Sequence, residues 1–193
     1  MKSLKNLSIP VLVFASALPA LAAAAPKAGN KPAEKPPLVI QAQGFSFSVS
    51  QPDGWLADEQ AMKKYQANLA FAPQSEPGKE PGAAIVIQAR RKVNENIALS
   101  LESDKQAYRQ KDPGVQFSAL DVKHPLYAVF PQLISKPGEY YVYTTYLNPK
   151  GFEVFFSVVM PRKKSAATPQ ELAAYRQVVE SLKVIPEEKE EGE

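Results

Sequence analysis

Residues 139–160 read EYYVYTTYLNPKGFEVFFSVVM. Two runs rich in aromatic and β-branched residues, which favour strands, flank the four residues Asn148-Pro149-Lys150-Gly151. Those four match a type I turn, with Asn first, Pro second and Gly fourth. The segment therefore predicts an antiparallel hairpin whose strands cover residues 139–147 and 152–160.

Apolar side chains occupy both faces of this hairpin. One set of alternating positions holds Tyr141, Tyr143, Phe152, Val154, Phe156 and Val158, and the other holds Tyr140, Val142, Tyr146, Phe155 and Val159. A sheet with one face in water would carry polar side chains on one of these sets. Helices should therefore cover both faces. The sequence predicts an α/β (α+β) fold, a mainly antiparallel sheet of six to seven strands between helices, that is, an α/β/α sandwich.

Further strands are expected on both sides of the hairpin. Phe45, Phe47 and Val49 alternate with serines, which is typical of a half-buried strand. A Pro52-Asp53-Gly54 turn then leads to Trp55, the single tryptophan. Apolar runs predict the remaining strands at residues 69–72, 83–89, 115–122 and 126–133.

Three helices are expected, each with a residue that can cap its start. The first follows Asp58, the second follows Asn94 or Asn96, and the third follows Thr168. The third is the best specified, because Thr168 and the Glu three residues later form a capping box. Pro186 is predicted to end it. The residues expected to face inward are Ala61, Met62, Tyr65, Ile97, Leu101, Tyr108, Leu172, Tyr175, Val179 and Leu182.

The N-terminus has the pattern of a secretory signal peptide. Lys2 and Lys5 precede an almost uncharged apolar run at residues 9–25, which ends in small residues suited to cleavage after Ala22 or Ala24. The run contains two prolines and is short for a membrane span. Residues 1–24 are therefore predicted to be removed. The mature protein is expected in the bacterial periplasm or the medium, with no stable membrane span.

The segments next to the predicted domain differ from it in composition. Residues 25–37 are rich in Pro and Lys and are predicted to be a linker, and residues 187–193 form an acidic tail. The predicted domain, residues 38–186, holds 17 Lys and Arg against 14 Asp and Glu. This near-neutral balance gives no electrostatic case for binding nucleic acid.

Cysteine and histidine usage excludes several classes of chemistry. The chain of 193 residues has no Cys and one His. Disulfides, thiolate zinc sites and Cys-linked lipid anchors are therefore excluded, and so is a metal site of several histidines in one chain. No cofactor and no enzymatic activity is predicted.

The order of elements resembles the PsbP-like superfamily. The features that carry the resemblance are a strand leading into Pro52-Asp53-Gly54-Trp55, a middle rich in hairpins, and a final helix reading Val179-Glu180-Ser181-Leu182-Lys183-Val184. That fold is shared with a Ran-binding nuclear import factor and the bacterial envelope protein DcrB. The resemblance covers about residues 38–186 and implies a non-catalytic adaptor or accessory subunit. The chain departs from the lipoprotein members because it lacks a lipobox Cys.

A candidate binding surface combines Trp55 with two basic runs. Trp55 could stack on a ligand, or it could fill the end of a core. The basic runs, each at the end of a predicted strand, are Arg90, Arg91 and Lys92, and Arg162, Lys163 and Lys164. If the strand order brings them together, they form one patch for an anionic lipid headgroup, a polyanion or an acidic protein surface. The alternative is that they are solvated loop ends.

The other candidate groups each have a structural interpretation beside the functional one. His124, near Asp121 and Lys123, could be a general base or a metal ligand, or a structural His at a strand end. Gly78 and Gly82 lack the spacing of a phosphate-binding loop. Glu102, Asp104 and Asp112 alternate with Lys105, Arg109 and Lys111, which is typical of a solvated helix face. The tyrosine group Tyr140, Tyr141, Tyr143 and Tyr146 fits sheet packing better than a recognition surface.

Two functions from different classes follow. The first is a non-catalytic exported binding or accessory protein that acts by contact with an unidentified envelope protein. The alternative is a module that binds a small apolar or anionic ligand. A hydrolase that uses Ser or Asp with His124 is a third hypothesis.

Overall fold

The computed structural model describes residues 35–42, 44–74, 83–92 and 97–186. The predicted signal peptide, residues 25–34 of the predicted linker, the acidic tail, Gly78, Gly82, Asn94 and Asn96 lie outside these residues. The elements in chain order are β1 (Leu38–Ala42), β2 (Phe45–Val49), β3 (Trp55–Ala57), α1 (Glu59–Tyr65), β4 (Leu69–Pro73), β5 (Ile85–Arg91), α2 (Ala98–Lys111), β6 (Gln116–Ala119), β7 (Ala128–Lys136), β8 (Tyr140–Asn148), β9 (Val154–Lys163), α3 (Pro169–Ser181) and β10 (Lys183–Ile185).

The described strands form two antiparallel sheets. The larger has seven strands in the order β3-β4-β5-β9-β8-β7-β6, and the smaller has three in the order β1-β2-β10. The predicted hairpin is confirmed, since β8 and β9 pair with Tyr143 opposite Met160 and Leu147 opposite Phe156. Gly151 closes the turn with φ 83°, a conformation that only glycine adopts without strain. The predicted mainly antiparallel α/β fold is therefore correct, whereas the strand predicted at residues 45–49 lies in the separate small sheet.

One face of the large sheet packs against α3 and the small sheet. Phe47 of β2, Phe156 of β9 and Tyr175 of α3 have no exposed surface and belong to one apolar cluster. The rings of Phe47 and Phe156 meet edge to face, 5.3 Å between centroids, which is the favourable geometry for an aromatic pair. The Tyr175 hydroxyl lies 2.8 Å from Thr145 Oγ1 and donates to the Val158 carbonyl at 3.0 Å. This layer is the main core of the domain.

The opposite face is covered by α1 and α2, as predicted. Ala61 of α1 packs on Ala70 and Val86, whereas α2 contacts Tyr146 and Phe155 through Ile97 just before its first turn. None of the 14 residues of α2 is buried. This helix therefore lies loosely on the sheet, and its flanks stay open.

Helix α3 starts as predicted but ends earlier. The Thr168 side chain accepts from the Glu171 N–H, and the Glu171 side chain accepts from the Thr168 N–H. The prediction that Pro186 ends the helix is wrong, because the helix stops at Ser181 and β10 follows after Leu182. Pairing with β2 gives the backbone of residues 183–185 hydrogen-bond partners, so these residues form a strand instead of another helical turn.

Other predicted boundaries shift by a few residues. The strand predicted at 115–122 shortens to Gln116–Ala119, and the one predicted at 126–133 becomes Ala128–Lys136. Asp58 caps α1 by accepting from the N–H groups of Gln60 and Ala61, as predicted. Ile97 precedes α2 without a side-chain cap. In the described part of the chain, no helix is long and apolar enough to cross a membrane.

Candidate functional site

Trp55 lies inside the main core. Its side chain is 3% exposed and belongs to the cluster around Phe47 and Phe156. Gly54, with φ 74°, makes the turn that sends the indole inward. A stacking platform needs an exposed ring, so Trp55 does not belong to the binding surface predicted for it and instead fills the core.

The first basic run lies at the end of β5 and is tied to neighbouring groups. Arg90 Nη2 donates to Gln88 Oε1 at 3.0 Å, and Arg91 Nη2 lies 3.0 Å from Glu153 Oε2. Lys92 Nζ donates to the Pro149 carbonyl at 2.9 Å. These contacts join the end of β5 to the turn between β8 and β9.

The second basic run lies at the end of β9 and supports α3. Arg162 Nη1 lies 3.1 Å from Glu171 Oε1, and both side chains are only about 15% exposed. Since Glu171 is half of the capping box, Arg162 positions the helix start. Lys163 and Lys164 are exposed.

The two basic runs do not meet. Strand β5 pairs with β9 in the antiparallel sense, which places Arg91 opposite Val154, the first residue of β9. Arg162 and Lys163 are at the other end of the same strand. Ten residues of extended chain separate the two ends by about 30 Å. The predicted single basic patch is therefore wrong, because the strand order puts its halves at opposite ends of the sheet.

His124 is held by backbone groups through both ring nitrogens. Nδ1 accepts from the N–H groups of Leu126 and Tyr127, each at 3.0 Å, and Nε2 lies 2.9 Å from the Leu182 carbonyl. The ring stacks on Tyr127 with 4.4 Å between centroids. Since Nδ1 accepts, Nε2 carries the proton and the ring is neutral. Partial burial lowers the pKa of His124, which fits this neutral form.

The acidic residues near α2 are also engaged in structural contacts. Asp104 Oδ2 accepts from the Tyr146 hydroxyl at 2.5 Å, and burial together with this bond raises the pKa of Tyr146. Asp112 accepts from Tyr140 and lies 3.4 Å from Lys136 Nζ. Partial burial opposes ionisation of Asp112, but bonds from the Gly114 N–H and Lys136 outweigh it and lower its pKa. These carboxylates attach α2 to the sheet and do not converge as a pair.

The four candidate tyrosines divide between the two faces of the sheet. Tyr141 and Tyr143 face the main core, where the Tyr143 hydroxyl accepts from the Ala167 N–H at 2.9 Å. Tyr140 and Tyr146 face α2, where they bond the two aspartates described above. Their positions agree with packing in the sheet and not with one exposed cluster.

A groove of about 480 Å³ runs along one flank of α2, and we call it the α2 groove. Its lining residues are Leu101, Lys105, Phe117, Ser118, Ala119, Val129, Phe130, Pro131 and Gln132. It arises where β6 stops, because β6 pairs only with residues 132–135 of β7. Residues 128–131 continue past its end, and no described strand pairs with their outer side. The α2 groove therefore combines a free strand edge with an apolar wall.

Two side chains give the α2 groove its chemical character. Phe130 is 37% exposed, a large apolar surface for a strand residue. Gln132, two positions on and therefore on the same face, is 8% exposed. Its Nε2 is buried and has no hydrogen-bond partner among the described residues. Buried amide donors are nearly always paired, so this one marks a place where a partner oxygen is missing.

The other flank of α2 borders a smaller, polar pocket of about 290 Å³. Arg90 and Lys111 line it, above the hydroxyl groups of Thr144 and Ser157, which are 3% and 1% exposed. Asp104 adds a carboxylate that already accepts from Tyr146. Of the predicted surface residues, Arg90 alone lies in this pocket.

None of the residues predicted to form a binding surface lies in the α2 groove. Two signals in residues 126–133 point to it. Pro131 has no N–H for a ladder, so within a strand it indicates an edge, and Gln132 interrupts an apolar run with an amide. Neither signal shows that the outer edge of residues 128–131 is unpaired, because this depends on the residue at which β6 ends.

Comparison with known proteins assigns no family. No family model matches the chain, and no curated protein matches it significantly. The resemblance to the PsbP-like superfamily stays a prediction from the sequence.

Proposed function

We propose that this protein is a non-catalytic binding module of the bacterial periplasm that contacts another protein through the α2 groove. One observation carries the proposal, namely the free edge of β7 at residues 128–131 beside an apolar wall. Extended segments of a partner pair with such edges through main-chain hydrogen bonds, here to residues 128–130 and the carbonyl of Pro131, which has no N–H, while adjoining pockets receive alternate side chains. The signal peptide and the family resemblance predicted from the sequence support the compartment and the accessory role.

The engagement of the candidate catalytic groups supports binding over catalysis. Both ring nitrogens of His124 bond backbone groups. Asp104 accepts from the Tyr146 hydroxyl, and Asp112 pairs with Lys136. A reaction would have to free these groups from contacts that hold the fold together.

Site-specific photo-crosslinking in the native host tests the proposal. Replacing Phe130 with a benzophenone amino acid should give a discrete adduct in the envelope fraction. The same residue at Leu56, an apolar position that is 50% exposed on the opposite edge strand, is the control. Ala119→Trp, which fills the α2 groove, should abolish the adduct, and Ala107→Trp on the other flank of α2 should not. An adduct with the mass of two copies, or equal adducts from both positions, would contradict the proposal.

The compartment has its own test. Cleavage after Ala22 or Ala24 gives a mature N-terminus at Ala23 or Ala25. N-terminal sequencing of the protein from periplasmic extract and from medium should find one of these. A chain that retains Met1 in the cytoplasmic fraction would refute the predicted export.

A second candidate function, binding of a small anionic ligand, is favoured by the polar pocket. Arg90 and Lys111 give it two cations above buried hydroxyl groups. Native mass spectrometry of protein purified from its own host should then show a bound mass that Arg90→Gln removes. Retention of that mass in the variant would place the ligand elsewhere.

A further inference from the structure

The lining of the α2 groove is asymmetric in charge and in hydrogen-bonding capacity. Its nine residues include one cation, Lys105, and no carboxylate. The Nε2 of Gln132 is a buried donor without an acceptor among the described residues. The groove therefore offers an ammonium and an unpaired amide donor beside the Ser118 hydroxyl, and a complementary ligand supplies an anionic or carbonyl oxygen.

The neighbours of Gln132 leave room for such an oxygen. Ala119 is directly opposite Gln132 on β6, so only a methyl group stands beside the amide on that side. Lys105 comes from α2 above, where its Nζ lies 3.5 Å from Glu102 Oε2 and its side chain is 31% exposed. A carboxylate between Lys105 and Gln132 would accept from both, and charge-assisted bonds of this kind are the stronger class.

Contact with Phe130, the exposed apolar side chain of the groove, determines where the carboxylate of the ligand lies. Phe130 and Gln132 are two residues apart on the same face of β7. A segment extended beside residues 128–131 also repeats its side chains every two residues on that face. Because Ala119 already occupies the position opposite Gln132, the segment leaves the edge beside Phe130, and the residues next to its apolar side chain bring a carboxylate over Lys105 and Gln132.

We infer that the α2 groove binds a segment of the partner protein that lies along residues 128–131 with an apolar side chain on Phe130 and presents a nearby carboxylate to Gln132 and Lys105. The inference rests on the proposed function, since it names the chemistry of the partner at the same site. Charge complementarity with Lys105 and the unpaired amide select an acidic residue over a neutral one.

A random decapeptide display library, panned on the mature chain, tests this chemistry. Enriched peptides should carry Asp or Glu within about three positions of an aliphatic or aromatic residue. For one enriched peptide, Gln132→Glu should weaken binding by at least tenfold and Gln132→Leu by about fivefold. Gln116→Leu, an exposed position on β6, is the matched control and should not change it. Thermal melting of each variant shows whether it is folded.

The nuclear magnetic resonance signal of the Gln132 side-chain amide reports directly on ligand contact. If Gln132 had only a structural role, adding the peptide would not shift this signal. The enriched peptide should shift this signal, and a copy with Glu replaced by Gln should shift it less and bind at least fivefold more weakly. Enriched peptides without acidic residues, an unshifted amide, or full binding by Gln132→Glu would each overturn the inference.

Different outcomes of these experiments distinguish a failure of this inference from a failure of the proposed function. Crosslinks at Phe130 without any acidic preference in the library would refute the chemistry and leave the protein contact intact. Binding of 3-phenylpropanoate as tight as that of the peptide would make the groove a small-acid site and refute both. A chain ending at Pro186 that binds the peptide tenfold more tightly would show that the acidic tail of the same chain occupies the groove, and would overturn the assignment to a partner.

Discussion

Acidification should destabilise the fold through His124, the one histidine of the chain. The folded protein holds a neutral ring, because Nδ1 accepts two backbone N–H groups, and burial lowers the pKa of His124 below its ordinary 6.5. In the unfolded chain the ring takes up a proton near pH 6.5. Below that pH the unfolded state therefore binds more protons than the folded state, and the free energy of unfolding falls as pH falls. Well above pH 6.5 the ring is neutral in both states, so His124 makes its full contribution to the free energy of unfolding.

The size of the effect follows from one proton and a few hydrogen bonds. A single group changes the free energy of unfolding by at most about 1.4 kcal/mol per pH unit, in the window between its two pKa values. Removing the ring leaves the N–H groups of Leu126 and Tyr127 and the Leu182 carbonyl without their partner. Because the site is half-buried and water can replace part of this, we expect His124→Ala to cost about 1–2 kcal/mol at pH 7.5.

Urea unfolding followed by the fluorescence of the buried Trp55 measures this dependence between pH 7.5 and 5. His124→Asn is the control, since its amide oxygen can still accept from a backbone N–H two residues on but does not titrate. Unfolding free energy should decline more steeply with acid in the natural chain than in this variant. Parallel pH profiles, or a histidine pKa above 6.5 by nuclear magnetic resonance, would refute the reasoning.

Three further substitutions test the fold by equilibrium urea unfolding. Thr168→Ala removes the cap of α3 and should lower the unfolding free energy by about 1 kcal/mol; an unchanged midpoint would mean that the capping box adds nothing. Tyr175→Phe takes the hydroxyl donor from the Val158 carbonyl and should cost about 1–2 kcal/mol, a result contradicted by equal or greater stability. Gly151→Ala places a β-carbon at φ 83° and should cost about 1–2 kcal/mol, and Gly114→Ala, where φ is negative, should cost clearly less.

Local sequence signals predicted the central hairpin, strand β2 and the starts of α1 and α3. The NPKG turn, the alternation at residues 45–49 and the capping box at Thr168 each depend on neighbours in the chain, so they can be recognised without the fold. That β2 belongs to a separate small sheet could not be found in this way. Residues 183–185 are too few to show a period, and they become a strand only because β2, far away in sequence, pairs with them.

The candidate surface failed where it depended on strand order. Arg91 and Arg162 each end an apolar run, but only the antiparallel pairing of β5 with β9 shows that they lie at opposite ends of the sheet. The sequence is compatible with Trp55 as a stacking platform or as a core residue, and its burial shows that it is a core residue. The α2 groove depends on β7 being longer than β6, a difference in length that neither strand reveals alone.

The closure of β2 between β1 and β10 has a consequence for the order of folding. Strand β2 comes early in the domain, yet one of its two neighbours is the last described strand. The N–H of Ser50, just after β2, donates to the Ser181 hydroxyl, 131 residues away, and the fully buried Phe47 pairs with Val184 of β10. Such distant pairing forms slowly, after the entropy of closing a long loop has been overcome. The domain therefore completes its core only once nearly all of its chain is available for folding.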